Sequence, residues 1–258
     1  MFSVLDMFTI GVGPSSSHTV GPMCAAQAFA SSLEESGAVS RVGRIRVVLY
    51  GSLSLTGLGH GTDRAILAGL EGNVPATVDT DYLLSVRERC AHDGTIHVNG
   101  TNAIAYDDDG DMVFDRWKRL APHPNGMRFQ AFDAQGNIID EQVWYSIGGG
   151  FIRRGRIDDA LISNHEQTPA SSQSPEDSGN DEAAEYGDGV PYPFVSCDGL
   201  IDLCRKHHLS IADVVWANET ARRSPQEVRD RLTRIWNVMS HCIDAGCASA
   251  TPTLPGGL

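Results

Sequence analysis

Ile45-Arg46-Val47-Val48-Leu49-Tyr50, residues 45–50, is β-branched and apolar and reads as a strand. What flanks it sets the fold class. Upstream, Pro22 sits at a first helical position, and Met23, Ala26, Phe29 and Ala30 recur at helical spacing through about Glu35. Downstream, Thr62 is positioned to cap a helix through Ala65, Ile66, Leu67 and Leu70, stopped by Gly72. Short strands are expected at Thr95–Asn99 and Ala103–Tyr106, then a turn at Asp107–Asp111 and a strand at Met112–Phe114. Met127–Phe132 and Ile138–Ile147 read as a hairpin around Ala134–Asn137, and Ser3 with Asp6 gives a capping pattern for a short first helix. Helices and strands interleave, so residues 1–152 are expected to be an α+β domain with a mixed sheet.

Residues 153–189 break this pattern. Ser, Pro, Gln, Gly, Asp and Glu dominate between Glu166 and Asp188, and little there is apolar. Ordering a residue's backbone costs about 1–2 kcal/mol, so the composition predicts an acidic, disordered linker. Residues 190–258 read as an incomplete all-α region. Ser210 with Asp213 forms one capping box, and Ser224-Pro225-Gln226-Glu227 combines a serine cap, a proline at the first helical position and a glutamate at the third. Val228, Leu232, Ile235, Met239 and Cys242 then share one apolar face, with Gly246 as the expected stop.

Charge excludes several functions. The 258 residues carry 20 Lys and Arg against 33 Asp and Glu, a net charge of −13, which opposes nucleic acid and anionic membranes as partners. Nine of the acids lie in 157–188, and without them the balance is −4. The apolar start has no Lys or Arg before Arg41, unlike a signal peptide, and no run approaches the ~20 apolar residues of a membrane span. The expectation is a cytoplasmic protein whose six cysteines, none in a C-x-x-C pair, are free thiols.

Two loops carry candidate chemistry. Gly11-Val12-Gly13-Pro14-Ser15-Ser16-Ser17-His18-Thr19-Val20-Gly21-Pro22 places three serines, a histidine and a threonine directly before a helix. Their hydroxyls and N–H groups suit a carboxylate or phosphate at a helix N-terminus, but the same serines can simply satisfy orphan N–H groups. Gly57-Leu58-Gly59-His60-Gly61-Thr62-Asp63 repeats the design, and two such loops point to one small anionic ligand. Pro122-His123-Pro124-Asn125-Gly126 reads as a tight turn with polar contacts at His123 and Asn125. Ser146-Ile147-Gly148-Gly149-Gly150 reads either as an anion nest or as a hinge. Asp107–Asp111 fails as a calcium loop, because an EF-hand register puts Ala105 and Arg116 at ligand positions, and a solvated turn is expected. A Gly-x-Ser-x-Gly nucleophile elbow is absent.

These loops resemble the iron–sulfur L-serine dehydratases. The resemblance rests on Ser3–Phe8, Gly13–Met23, Tyr50-Gly51-Ser52-Leu53, Gly59–Asp63, His123–Met127 and Ser146–Gly150, which come in the family's order. Pro191-Tyr192-Pro193-Phe194, Ala217-Asn218-Glu219 and Leu254–Leu258 are similar to the opening of that family's second domain.

The resemblance implies a β domain at 1–152, similar to an allosteric substrate-binding domain, and the start of the catalytic α domain after the linker. It implies a lyase that converts L-serine to pyruvate and ammonia by β-elimination, acting as a homodimer. It implies a 4Fe–4S cluster with cysteine ligands beyond the end of this chain, so none of Cys24, Cys90, Cys197, Cys204, Cys242 or Cys247 is a metal-ligand candidate and the 258 residues alone are expected to be inactive. Carried over residue by residue, His18, His60 and His123 become the catalytic candidates. Ser15, Ser16, Ser17, Thr19, Gly61, Thr62, Asp63, Asn125, Ser146, Gly148 and Gly149 become the substrate-binding candidates. The alternative is a non-catalytic module that binds serine or another small carboxylate.

Overall fold

A computed structural model describes residues 3–164 and 189–249. Most of the expected linker and the Leu254–Leu258 stretch lie outside the described residues. The fold is α+β: a seven-stranded mixed sheet with helices, followed by helices in the C-terminal part.

Strand β1 (Arg44–Tyr50) organises the sheet. The remaining strands of this sheet are β2 (Thr95–Val98), β3 (Asn102–Ala105), β4 (Met112–Asp115), β6 (Gly126–Phe132), β7 (Ile138–Gly148) and β8 (Phe151–Arg154). Their order is β2-β3-β1-β6-β7-β8, and β4 also pairs with β1. β1 runs parallel to β3 and β4 and antiparallel to β6. Alternate residues of a strand point to opposite faces, and both faces of β1 are used. Ile45, Val47 and Leu49 enter the main core with Phe29, Leu33, Ile66, Leu67 and Phe129, while Val48 and Tyr50 pack with Leu120, Val143 and Tyr145.

Three helices complete the main core: α1 (Gly21–Glu35), α3 (Thr62–Leu70) and α4 (Thr80–Asp93). α1 packs on α3 and on β7, and α4 packs on α3 and β2. The rings of Phe29 and Phe129 stack at 5.2 Å between helix and sheet. A short helix α2 (Ser52–Thr56) follows β1.

Several expectations change. α4 is an additional helix, capped by Asp79, whose side chain accepts from the Tyr82 N–H; its buried Leu83, Val86 and Cys90 follow helical spacing. Thr62 does not cap α3: Gly61, in the left-handed conformation (φ 66°), takes that position. Asp107–Asp111 is not a solvated turn. Asp108–Asp111 forms a helical turn, α5, that leads into β4 parallel to β1. Asp111 is 1% exposed and accepts from Arg44 Nε at 2.5 Å and from the Asp107 N–H at 2.9 Å. Ser146–Gly150 is not a hinge but the tight β7–β8 connection. Beyond it, β9 (Leu161–Ser163) pairs antiparallel with β5 (Lys118–Leu120), so a strand falls within the range whose composition predicts disorder.

The chain divides into two compact units, one of which joins residues up to Ile10 with the C-terminal helices. Those helices are α6 (Cys197–His207), α7 (Ile211–Thr220) and α8 (Pro225–Ala248). The capping box at Ser210 and Asp213 forms with both reciprocal bonds, and Ser224 caps α8 by accepting from the Glu227 N–H. α8 continues through Gly246 to Ala248; Val228 alone of its apolar face is buried. Ser3 caps a single 3-10 turn and donates its hydroxyl to Glu219 at 2.9 Å. Glu219 also accepts from the Val4 N–H at 2.8 Å and pairs with Arg223 at 2.7 Å. Tyr192 and Asn218 exchange two further bonds, Tyr192 N–H to Asn218 Oδ1 at 2.9 Å and Asn218 Nδ2–H to the Tyr192 carbonyl at 2.8 Å. No helix of the described residues is long and apolar enough to cross a membrane.

The buried and exposed members of the aspartate run should respond differently to mutation. Asp111→Ala strands the Asp107 N–H and is expected to cost about 1–3 kcal/mol. Asp109→Ala, on the surface, should stay within about 0.5 kcal/mol of wild type in urea melts.

Candidate functional site

The first serine–histidine loop enters α1 through a π-helical turn, Ser16–Val20, a geometry frequent at functional sites. Ser15 caps it: its side chain accepts from the His18 N–H at 3.1 Å, and its carbonyl accepts from the N–H groups of Thr19 and Val20. Ser15 therefore serves the helix end, while Ser16 is exposed. Ser17 Oγ lies 3.0 Å from His18 Nδ1, and Ser52 Oγ lies 3.0 Å from His18 Nε2, so both ring nitrogens meet a hydroxyl. Burial holds the His18 pKa below its ordinary value; the nearby His60 adds to this, and hydrogen bonding at Ser52 works against it. The ring is thus neutral at pH 7.

His60 ends the 3-10 turn Leu58–His60. Its Nδ1 lies 2.8 Å from the Thr56 carbonyl, which can only accept, so the neutral ring carries its proton on Nδ1 and a lone pair on Nε2. The His18 and His60 ring centroids are 4.9 Å apart.

The third loop joins through its backbone. The Pro124 carbonyl accepts from the Ser52 N–H at 2.9 Å. An ideal Cβ on Gly51 (φ 58°) would lie 2.2 Å from that carbonyl, so glycine is required there. His123 Nδ1 accepts from the Asn125 N–H at 3.0 Å, which puts the neutral ring's proton on Nε2. Burial, then the Arg153 charge, lower its pKa. The His123 ring lies 6.2 Å from that of Tyr145. Asn125 binds Ser146 twice, Nδ2–H to the Ser146 carbonyl at 3.1 Å and the Ser146 N–H to the Asn125 carbonyl at 3.0 Å. Ser146 Oγ is buried without a hydrogen-bond partner, and an ideal Cβ on Gly21 would lie 2.0 Å from it. The start of α1 and the end of β7 therefore touch because residue 21 is glycine.

Ser17, His18, His60, His123, Asn125 and Ser146 are thus linked through Ser52 and Gly21. Gly148 and Gly149 form the β7–β8 turn with positive φ, and Gly61 serves as the left-handed cap. Three of the candidates have other work. Thr19 and Thr62 are 1% and 0% exposed, and their hydroxyls donate to the carbonyls of His60 and His18. Asp63 is buried and paired with Arg87, which also binds Asp108 at 2.8 Å. The two threonine hydroxyls and Asp63 Oδ2 thus bond within the protein, while Asp63 Oδ1 is buried without a hydrogen-bond partner. Ser52 was not among the sequence candidates. Its signal is a serine directly after the glycine that ends β1.

The six cysteines are unpaired. Among the described residues no three His, Cys, Asp or Glu side chains gather as a metal site, so this set does not fit a 4Fe–4S cluster.

Histidine and serine loops thus gather at the start of the first helix of an α+β unit. The serine dehydratase beta chain model matches residues 3–156, and the chain belongs to that family. It is 41% identical to the L-serine dehydratase of Streptomyces coelicolor over 256 residues, 99% of this chain and 52% of the relative. It is 38% identical to L-serine dehydratase 1 of Escherichia coli over 262 residues, 100% of this chain and 52% of the relative. L-serine dehydratase of Helicobacter pylori strain J99 is 34% identical over 257 residues. The chain spans about half the length of these curated relatives.

Two histidines with lowered folded-state pKa values set a pH response. Unfolding lets each rise to its ordinary value near 6.5, so their contribution is intact above 6.5 and is lost as pH falls from there through the folded values. Urea melts should show a drop in stability between pH 7.5 and pH 5, and His18→Asn should flatten it.

Proposed function

We propose that this chain supplies the serine-binding and proton-handling part of an L-serine ammonia-lyase, which releases pyruvate and ammonia by β-elimination. The observation that carries this reading is the His18–His60 pair, 4.9 Å apart, on serine-bearing loops in a chain of the serine dehydratase beta family. The relatives' name, L-serine dehydratase, supports the substrate.

Elimination needs the substrate carboxylate held, the Cα proton accepted and the leaving hydroxyl assisted. Ser16 and Ser17 at the start of the helical segment suit the carboxylate, where N–H groups and the helix dipole favour an anion. The bare Nε2 of His60 suits the proton acceptor. His18, held between Ser17 and Ser52, orients the hydroxyls around it. Ser146 Oγ, unpartnered and buried, is a further hydroxyl for the substrate, and Asn125 holds it in place. A 4Fe–4S cluster belongs to the family resemblance, but the described cysteines do not gather to hold one, and no step assigned to this chain passes through it. The unpaired thiols support a reducing, cytoplasmic location. Trp236, Met239 and Ile243, exposed along α8, support a homodimer, which the solution mass of the purified chain would check.

Calorimetric titration of L-serine into the chain tests the binding reading. His18→Asn and His60→Asn should each weaken affinity at least about tenfold, or ~1.4 kcal/mol. Unchanged affinity in both removes the reading. Uptake of deuterium at the serine Cα in D2O, lost in His60→Asn, would distinguish a proton acceptor from a module that only binds.

A further inference from the structure

We propose that Thr19 and Thr62 form a reciprocal clasp that sets the spacing of His18 and His60, which makes both threonines positioning residues of the site; the consequence for the reaction rests on the serine-site reading above. The Thr19 hydroxyl donates to the His60 carbonyl at 2.9 Å, and the Thr62 hydroxyl donates to the His18 carbonyl at 2.5 Å. Each loop thus grips the other at its histidine's own main chain, across 41 and 44 residues of sequence.

The geometry is specific. A serine or threonine hydroxyl in a helix commonly bonds back to a carbonyl of its own turn, but these two reach across to another loop. At 1% and 0% exposure, water does not compete for either bond. Glycines close the slots in which the threonines sit. An ideal Cβ on Gly13 would lie 2.4 Å from Thr19 Cγ2, and one on Gly57 would lie 2.9 Å from Thr62 Oγ1.

The clasp has an electrostatic consequence. Two imidazoles 4.9 Å apart oppose each other's protonation. His60 is the charge that acts on His18, the hydroxyls of Ser17 and Ser52 are neutral, and the nearby Asp63 carboxylate is paired with Arg87. Burial is the larger cause of the lowered His18 pKa, and holding the rings together adds to it. Loosening either bond lets them separate, and His18 then titrates closer to 6.5.

NMR titration of the histidine ring protons in the ligand-free chain tests this. Thr19→Val and Thr62→Val should each move the His18 midpoint up toward 6.5, whereas Thr19→Ser and Thr62→Ser, which keep the hydroxyl, should restore the wild-type midpoint. Unchanged midpoints in both folded valine variants overturn the clasp. If the valine variants do not fold, the wild type decides: slowly exchanging hydroxyl protons on Thr19 and Thr62 support the clasp, and rapid exchange overturns it. No serine is present in these measurements, so failure of the clasp and failure of the serine-binding reading are separate results.

Discussion

The structure depends on the burial of β1 on both faces. A strand that feeds only one core tolerates polar residues at every second position. β1 is bounded instead by three neighbours, β3, β4 and β6, and sends Ile45, Val47 and Leu49 one way and Val48 and Tyr50 the other. A one-residue slip would exchange the two sets between cores of different shape. The register that prevents this also fixes where β1 ends, at Gly51 and Ser52. Ser52 is the point from which His18 and the Pro124 loop are both held. The packing of the sheet and the placing of the site are therefore one constraint.

Much of this was legible from short-range patterns. Residues 45–50 and the 127–147 hairpin announce themselves by β-branched and apolar residues, and Ser210 and Ser224 by cap chemistry that depends on three or four neighbours. Asp111 is not legible, because its partner Arg44 is 67 residues away, and four acids within five residues look solvated whatever lies opposite them. Thr62 departs from its local pattern for a related reason. A threonine at a helix start is a good cap in isolation, but here a left-handed glycine closes the turn and frees the hydroxyl for a distant carbonyl.

The site divides in the same way. Its histidines stand out because imidazole beside glycine and serine is unusual chemistry in a loop. Which polar groups face a ligand and which hold the loops is a matter of burial and partner, and sequence carries neither. Ser15, Thr19, Thr62 and Asp63 look alike as candidates, and nothing local tells that each has a bond within the protein. Ser52 lies within the Tyr50-Gly51-Ser52-Leu53 stretch, but nothing in that stretch tells that its hydroxyl meets the His18 ring.

The attachment of Ser3 to Glu219 bears on how the chain matures during synthesis. The two residues are 216 positions apart. At about 5–20 residues per second, the first turn leaves the ribosome roughly 10 to 40 seconds before its carboxylate partner exists. The sheet unit, encoded between them, has that interval in which to fold before the Ser3–Glu219 bond can form.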